Sequence, residues 1–157
     1  MATRTLAEAL EQEHREIDEG IETFTSGRAT GPADSGPLTR AIDALRRHIY
    51  LEEEFLFPPL RSAGMVAPIF VMLREHGEMW KTLDALEAKL GEDGKAESVM
   101  PLCDQLVPQI QAHNAKEEPI LYSQADAVLD DVAADQLRTF LDSGRMPQGW
   151  VCEKARS

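Results

Sequence analysis

Residues 48–57 read HIYLEEEFLF, and residues 113–122 read HNAKEEPILY. Both fit the pattern H-x-x-x-E-E-x-x-L-aromatic, at an offset of 65 residues. A second pair precedes them. Glu13-His14-Arg15-Glu16-Ile17 matches Glu75-His76-Gly77-Glu78-Met79 as E-H-x-E-apolar, at an offset of 62. The two offsets nearly agree, so the chain reads as one helix pair used twice, with a pseudo-twofold relation between halves. A single H-x-x-x-E is weak in a chain with 28 Asp and Glu. Two in register, with two further histidines also in register, are hard to obtain by chance. Together they use all four histidines of the chain.

The surrounding periodicity is helical. Leu6, Leu10, Ile17, Ile21 and Phe24 mark one face of a helix over about Thr5–Thr25, with Thr3 or Thr5 as cap. The Gly- and Pro-rich stretch from Ser26 to Pro37 reads as a loop. A second helix starts near Pro37, with Ser35 as a possible cap. It carries Ile42, Leu45, Ile49, Glu52 and Leu56, and Pro58-Pro59 should stop it. A third helix spans about Val66–Leu90, ending at the GEDG stretch Gly91–Gly94. A fourth spans about Lys95–Tyr122, where Pro108 and Pro119 predict kinks or a broken start. A short fifth helix lies around Asp130–Leu141, and Gly144–Ser157 reads as an irregular tail. The predicted fold is all-α: an antiparallel up-down-up-down four-helix bundle over about residues 3–125, with a short extra helix and tail over 126–157. All of it reads as one domain.

The spacing has a chemical consequence. Residues i and i+4 share a helix face, roughly 5–6 Å apart at Cβ. His48 with Glu52, and His113 with Glu117, can each converge on one point. Bundle axes lie about 8–10 Å apart, so inward faces can meet around a central cluster. Four imidazoles and two carboxylates exceed the four ligands a structural zinc takes. They suit two metals, each held by two histidines and an oxygen from each bridging glutamate, with positions left for water, oxide or a diatomic ligand. Mixed nitrogen and oxygen ligation with open positions favours non-haem iron, ahead of manganese or zinc.

At this point the chain resembles the hemerythrin-like, or HHE cation-binding, domains. The likeness rests on the two H-x-x-x-E-E segments and the two E-H-x-E segments, and spans about residues 8–125. It implies a four-helix bundle with an oxygen-bridged di-iron centre, ligated by His14, His48, Glu52, His76, His113 and Glu117. The oxygen carriers of that family have a further histidine one turn after the third-helix histidine. Here that position is Trp80, read as core packing, and one turn before is Met72. This departure argues against reversible oxygen transport and for an added solvent or substrate position, or a substitute ligand. Asp18 and Glu118 are the carboxylate substitutes to consider, and Tyr50 or Tyr122 as a phenolate is the lesser alternative.

For the remaining residues the plainer readings are preferred. Glu53, Glu54 and Glu118 read as a solvated acidic face or as partners of the ligands. Glu13 and Glu75 read as surface, with a bond to a ligand histidine as the alternative. Leu56, Phe57, Leu121 and Tyr122 read as core walls around the site. Cys103 reads as a buried apolar residue, and Cys152 as a thiol in a mobile tail.

The formal charge of −12 argues against nucleic-acid or anionic-membrane partners. Two distant cysteines form neither a disulfide framework nor a thiolate cage. With no apolar signal core in the first nine residues and no long apolar run, the expected location is the cytoplasm. The functional expectation is a di-iron protein that binds, senses or scavenges oxygen, peroxide or nitric oxide. The alternatives are a redox enzyme at the same centre, such as peroxide disproportionation, iron storage or donation, and a metal-free helical interaction module.

Overall fold

A computed structural model describes residues 4–27, 35–92 and 95–156. The secondary structure is helical, with no strand among the described residues. Helix α1 (Leu6–Gly27) pairs with α2 (Gly36–Leu51), and α4 (Val66–Glu92) pairs with α5 (Ala96–Glu117). Short α3 (Phe57–Ser62) and α6 (Ser123–Val128) prolong α2 and α5, and α7 (Asp131–Ser143) follows. The result is the expected antiparallel bundle.

Local chemistry explains the helix ends. Thr5 Oγ1 accepts the Glu8 N–H at 3.0 Å, while the Asp126 carboxylate accepts those of Leu6 and Ala7. That carboxylate suits the positive end of the α1 dipole and ties α6 to the start of the chain. Pro37 sits in the first turn of α2, as expected, but the Ser35 hydroxyl makes no capping bond. Gly64, at φ 103°, forms the turn between α3 and α4, where a side chain would be strained. Asp130 caps α7 by accepting the Ala133 N–H. Thr3, the centre of the glycine-rich loop and Asp93-Gly94 lie outside the described residues.

Two expectations about proline are corrected. Pro58-Pro59 does not stop the second helix. A π-helical turn, Glu52–Leu56, leads into α3, and the Phe57 N–H bonds to the Glu52 carbonyl five residues back. The wider turn makes room for rings that lack an N–H and would crowd an α-helical carbonyl. A second π turn, Glu118–Tyr122, carries Pro119 at its start. By contrast Pro101 and Pro108 leave α5 continuous. Both are exposed, so the carbonyls they free can face water, while Val99, Cys103, Leu106 and Ile110 hold the opposite face in the core.

The core has two apolar parts. One gathers Ile21 and Phe24, Leu38 and Ile42, Leu83 and Leu86, and Val99 and Leu106. The other gathers Leu6 and Leu10, Leu51 and Leu60, Ile69 and Leu73, and Leu121, with Leu137 and Phe140 of α7. Between them lies a layer of buried histidines and glutamates.

The tail is also corrected. Cys152 is buried, not mobile, and burial beside Glu53 pushes its thiol up to about 12. Trp150 packs on Trp80 and Tyr50, and the 3₁₀ turn Glu153–Ala155 lies on α4. The contact is close: a Cβ on Gly77 would stand 2.9 Å from Lys154 Cβ.

Candidate metal centre

Each helix pair delivers its share of the central layer. α1 supplies His14, α2 His48, the first π turn Glu52, α4 His76, and α5 His113 and Glu117. All six are buried, the two glutamates at 0% exposure. Among the described residues they form two donor groups that share both carboxylates: His14, His48, Glu52 and Glu117, and Glu52, His76, His113 and Glu117. Within each group the possible ligand atoms lie within 4.8 Å of one another.

The carboxylates span the two groups. Glu52 Oε2 is 3.2 Å from His48 Nε2, and its Oε1 is 3.0 Å from His76 Nε2. Glu117 Oε1 stands 3.3 Å from both His14 Nε2 and His113 Nε2. Neither Glu117 oxygen has a hydrogen-bond partner. A buried carboxylate without a donor is costly unless a cation faces it. This orphaned group, amid inward-facing imidazole nitrogens, fits a bound metal cation.

Every histidine is held from behind by a carboxylate. His48 Nδ1 donates to Glu13, His113 Nδ1 to Glu75, His76 Nδ1 to Glu53 and His14 Nδ1 to Glu118, all at 2.7–2.9 Å. The pattern obeys the repeat: Glu13 and Glu75 serve their own half, Glu53 and Glu118 the other. Such bonds turn Nε2 inward and make it a stronger donor. The supports are themselves anchored. Arg47 bonds Glu13 and also the Phe140, Leu141 and Gly144 carbonyls at the end of α7; Lys116 bonds Glu75; and Glu53 accepts the Glu153 N–H. The surface reading of Glu13 and Glu75 therefore gives way to its alternative, and Glu53 and Glu118 are partners of the histidines. Glu54 is exposed and accepts from the Trp150 indole.

The charges are strongly coupled. Burial alone would lower His48 and His113, but the Glu52 and Glu117 carboxylates outweigh it and raise both to about 10. His76 also moves up: burial opposes the change, and bonds to Glu52 and Glu53 prevail. Burial would raise Glu117, yet His113 and His14 hold it well below the ordinary carboxylate range. The bond from His113 brings Glu75 to about 2.

The substitutes for the missing histidine separate clearly. Trp80 is buried core, as expected, with its ring against Arg46 and Trp150. Asp18 is exposed and belongs to neither donor group, and Glu118 is engaged behind His14. Tyr50 packs among Phe55, Phe140 and Trp150. Tyr122 is different: its Oη donates to Glu52 Oε2 at 2.5 Å and lies 2.8 Å from His48 Nε2 and 2.9 Å from His14 Nε2. Of its two expected roles, wall and phenolate, the wall reading is incomplete, because the hydroxyl reaches the centre itself.

Comparison with protein families supplies the deciding observation. Residues 5–125 match the hemerythrin HHE cation binding domain. The chain belongs to the hemerythrin family. The match takes in every residue of this hemerythrin centre and stops before α7. Neither the curated proteins nor the solved structures yield a match to the chain. As a hemerythrin-family domain it presents a buried His/Glu cluster capable of binding metal cations.

Proposed function

We propose that the chain is a non-haem di-iron protein that binds, senses or scavenges a small oxidant or diatomic ligand: oxygen, peroxide or nitric oxide. His14 and His48 would hold one iron, and His76 and His113 the other. Glu52 and Glu117 would bridge them. The fully buried Glu117 carboxylate carries this reading: neither oxygen has a hydrogen-bond partner, and it lies in both donor groups, where it could bridge two cations. Bound iron supplies reversible one-electron chemistry and a Lewis-acidic point for the ligand.

The protein's own contribution is positioning and exclusion. The four Nδ1–carboxylate bonds fix the imidazole orientations before any cation arrives, and the charge of Glu13, Glu53, Glu75 and Glu118 favours the higher oxidation state. A small cavity of about 10 Å³ adjoins all four histidines. Ile17, Leu45, Ile49, Met79 and Ile110 wall it, with Asn114 as a polar neighbour. Its volume is about that needed for a single water, which restricts any ligand admitted there to a small one.

The same arrangement supports turnover as a second reading, because Trp80 leaves the His76/His113 group without a fifth histidine. Peroxide disproportionation is the reaction to measure. We place the protein in the cytoplasm on sequence grounds; no described helix is long and apolar enough to cross a membrane. The test is an optical spectrum of the iron-loaded protein before and after reduction and exposure to oxygen, peroxide and nitric oxide. Ligand-specific spectral changes support the reading. A protein that stays colourless and metal-free after anaerobic iron loading overturns it.

A further inference from the structure

The two halves of the centre are alike in their histidines and glutamates but not in what stands at the next repeat position. Tyr122 in the second half corresponds to Phe57 in the first, at the same offset of 65. The π turns matter here. In an α-helix, five residues advance about 500°, so residue i+5 would point roughly 140° away from residue i. The wider turn brings Phe57 and Tyr122 back over the layer that Glu52 and Glu117 define.

We infer that the Tyr122 hydroxyl oxygen is a seventh protein ligand, serving the His14/His48 cation alone, and that the His76/His113 cation is therefore the one that takes the external ligand. The inference rests on the two-metal reading above. Three of the four residues of the first donor group stand within 2.5–2.9 Å of Tyr122 Oη, so the phenol oxygen lies at their focus. Tyr122 is fully buried and has no solvent to turn to. At the pseudo-equivalent place Phe57 lays a carbon ring on His76, 5.5 Å between centroids and 17° between planes. It has no oxygen to offer.

The first cation thus has five protein residues within reach and the second has four. Tyr122 also leaves the cavity free. It enters from the apolar part that includes Leu121 and Phe140, whereas Ile17, Leu45, Ile49, Met79 and Ile110 of the cavity wall belong to the other. Coordination forms an oxygen–metal bond and breaks the O–H bond, with the proton passing to the buffer. No electron is transferred.

The experiment loads the full chain with iron, oxidises it, and records optical and resonance Raman spectra, then titrates with azide. The wild type should show a phenolate-to-iron charge-transfer band with tyrosine ring modes. Tyr122→Phe should lose both signatures. Phe57→Tyr should gain phenolate intensity and lose azide binding, because the new oxygen fills the position the ligand uses. Iron bound by the wild type without a tyrosine signature refutes the assignment and leaves the di-iron reading standing; this arm needs no variant to fold. Azide binding that survives in Phe57→Tyr despite a second phenolate signature refutes the choice of cation. Failure of the wild type to take up iron refutes the di-iron reading itself, and the assignment with it.

Discussion

Raising the pH should tighten metal binding and loosen the metal-free fold, and the structure fixes both signs. Without a cation, His48 and His113 titrate at about 10. Each donor group contains one of them. At neutral pH both rings are therefore protonated in the metal-free chain. A cation needs the Nε2 lone pair, so that proton must leave first. Each unit of pH removes about 1.4 kcal/mol of this cost, or about a factor of ten in affinity per cation, until the pH nears the raised values.

The metal-free fold responds in the opposite sense. A histidine raised in the folded state contributes stability that is fully present below its unfolded value, about 6.5, and is lost as pH rises through about 10. Zinc serves as a redox-silent probe. Calorimetric titration in buffers of different ionisation enthalpy counts the protons released, and thermal melts across the same pH range follow the metal-free chain. At least about two protons should leave when both positions fill at neutral pH. Affinity that is flat with pH, loading without proton release, or metal-free stability that climbs from neutral to alkaline pH would refute this reasoning.

Other outcomes follow from single contacts. Glu75→Gln weakens the charged support behind His113 and should lower affinity for one cation by roughly 10–100-fold with the fold retained, read by competition with a chelator. Glu117→Ala should lower binding at both positions, because Glu117 belongs to both donor groups; metal analysis after gel filtration checks it. Gly77→Ala places a Cβ 2.9 Å from Lys154 Cβ. It should cost about 1–3 kcal/mol in a denaturant melt, unless the tail detaches, which faster proteolysis there would show.

Much of the centre was legible because the chain states it twice. The register of His48 with His113 and Glu52 with Glu117 singled out six residues that the fold brings together. The same offsets also pair Glu13 with Glu75 and Glu53 with Glu118, so a signal for the four histidine supports was present. It stood beside the plainer reading, because an acidic residue on a helix is usually solvated. Tyr122 was less accessible: its approach depends on a π turn, and α-helical spacing points residue i+5 elsewhere. The prolines do not mark that turn by their register, since Pro58-Pro59 follow Glu52 by six and seven residues and Pro119 follows Glu117 by two. The tail was illegible for another reason. Trp150, Val151 and Cys152 pack against helices far away in sequence, and no periodicity announces such contacts.

The most direct test is diffraction from iron-loaded crystals with anomalous data at the iron edge. The account predicts two peaks inside the bundle, one beside His14 and His48 and one beside His76 and His113, with Glu52 and Glu117 between them. A single peak, peaks outside that layer, or an iron-soaked crystal with none would contradict it.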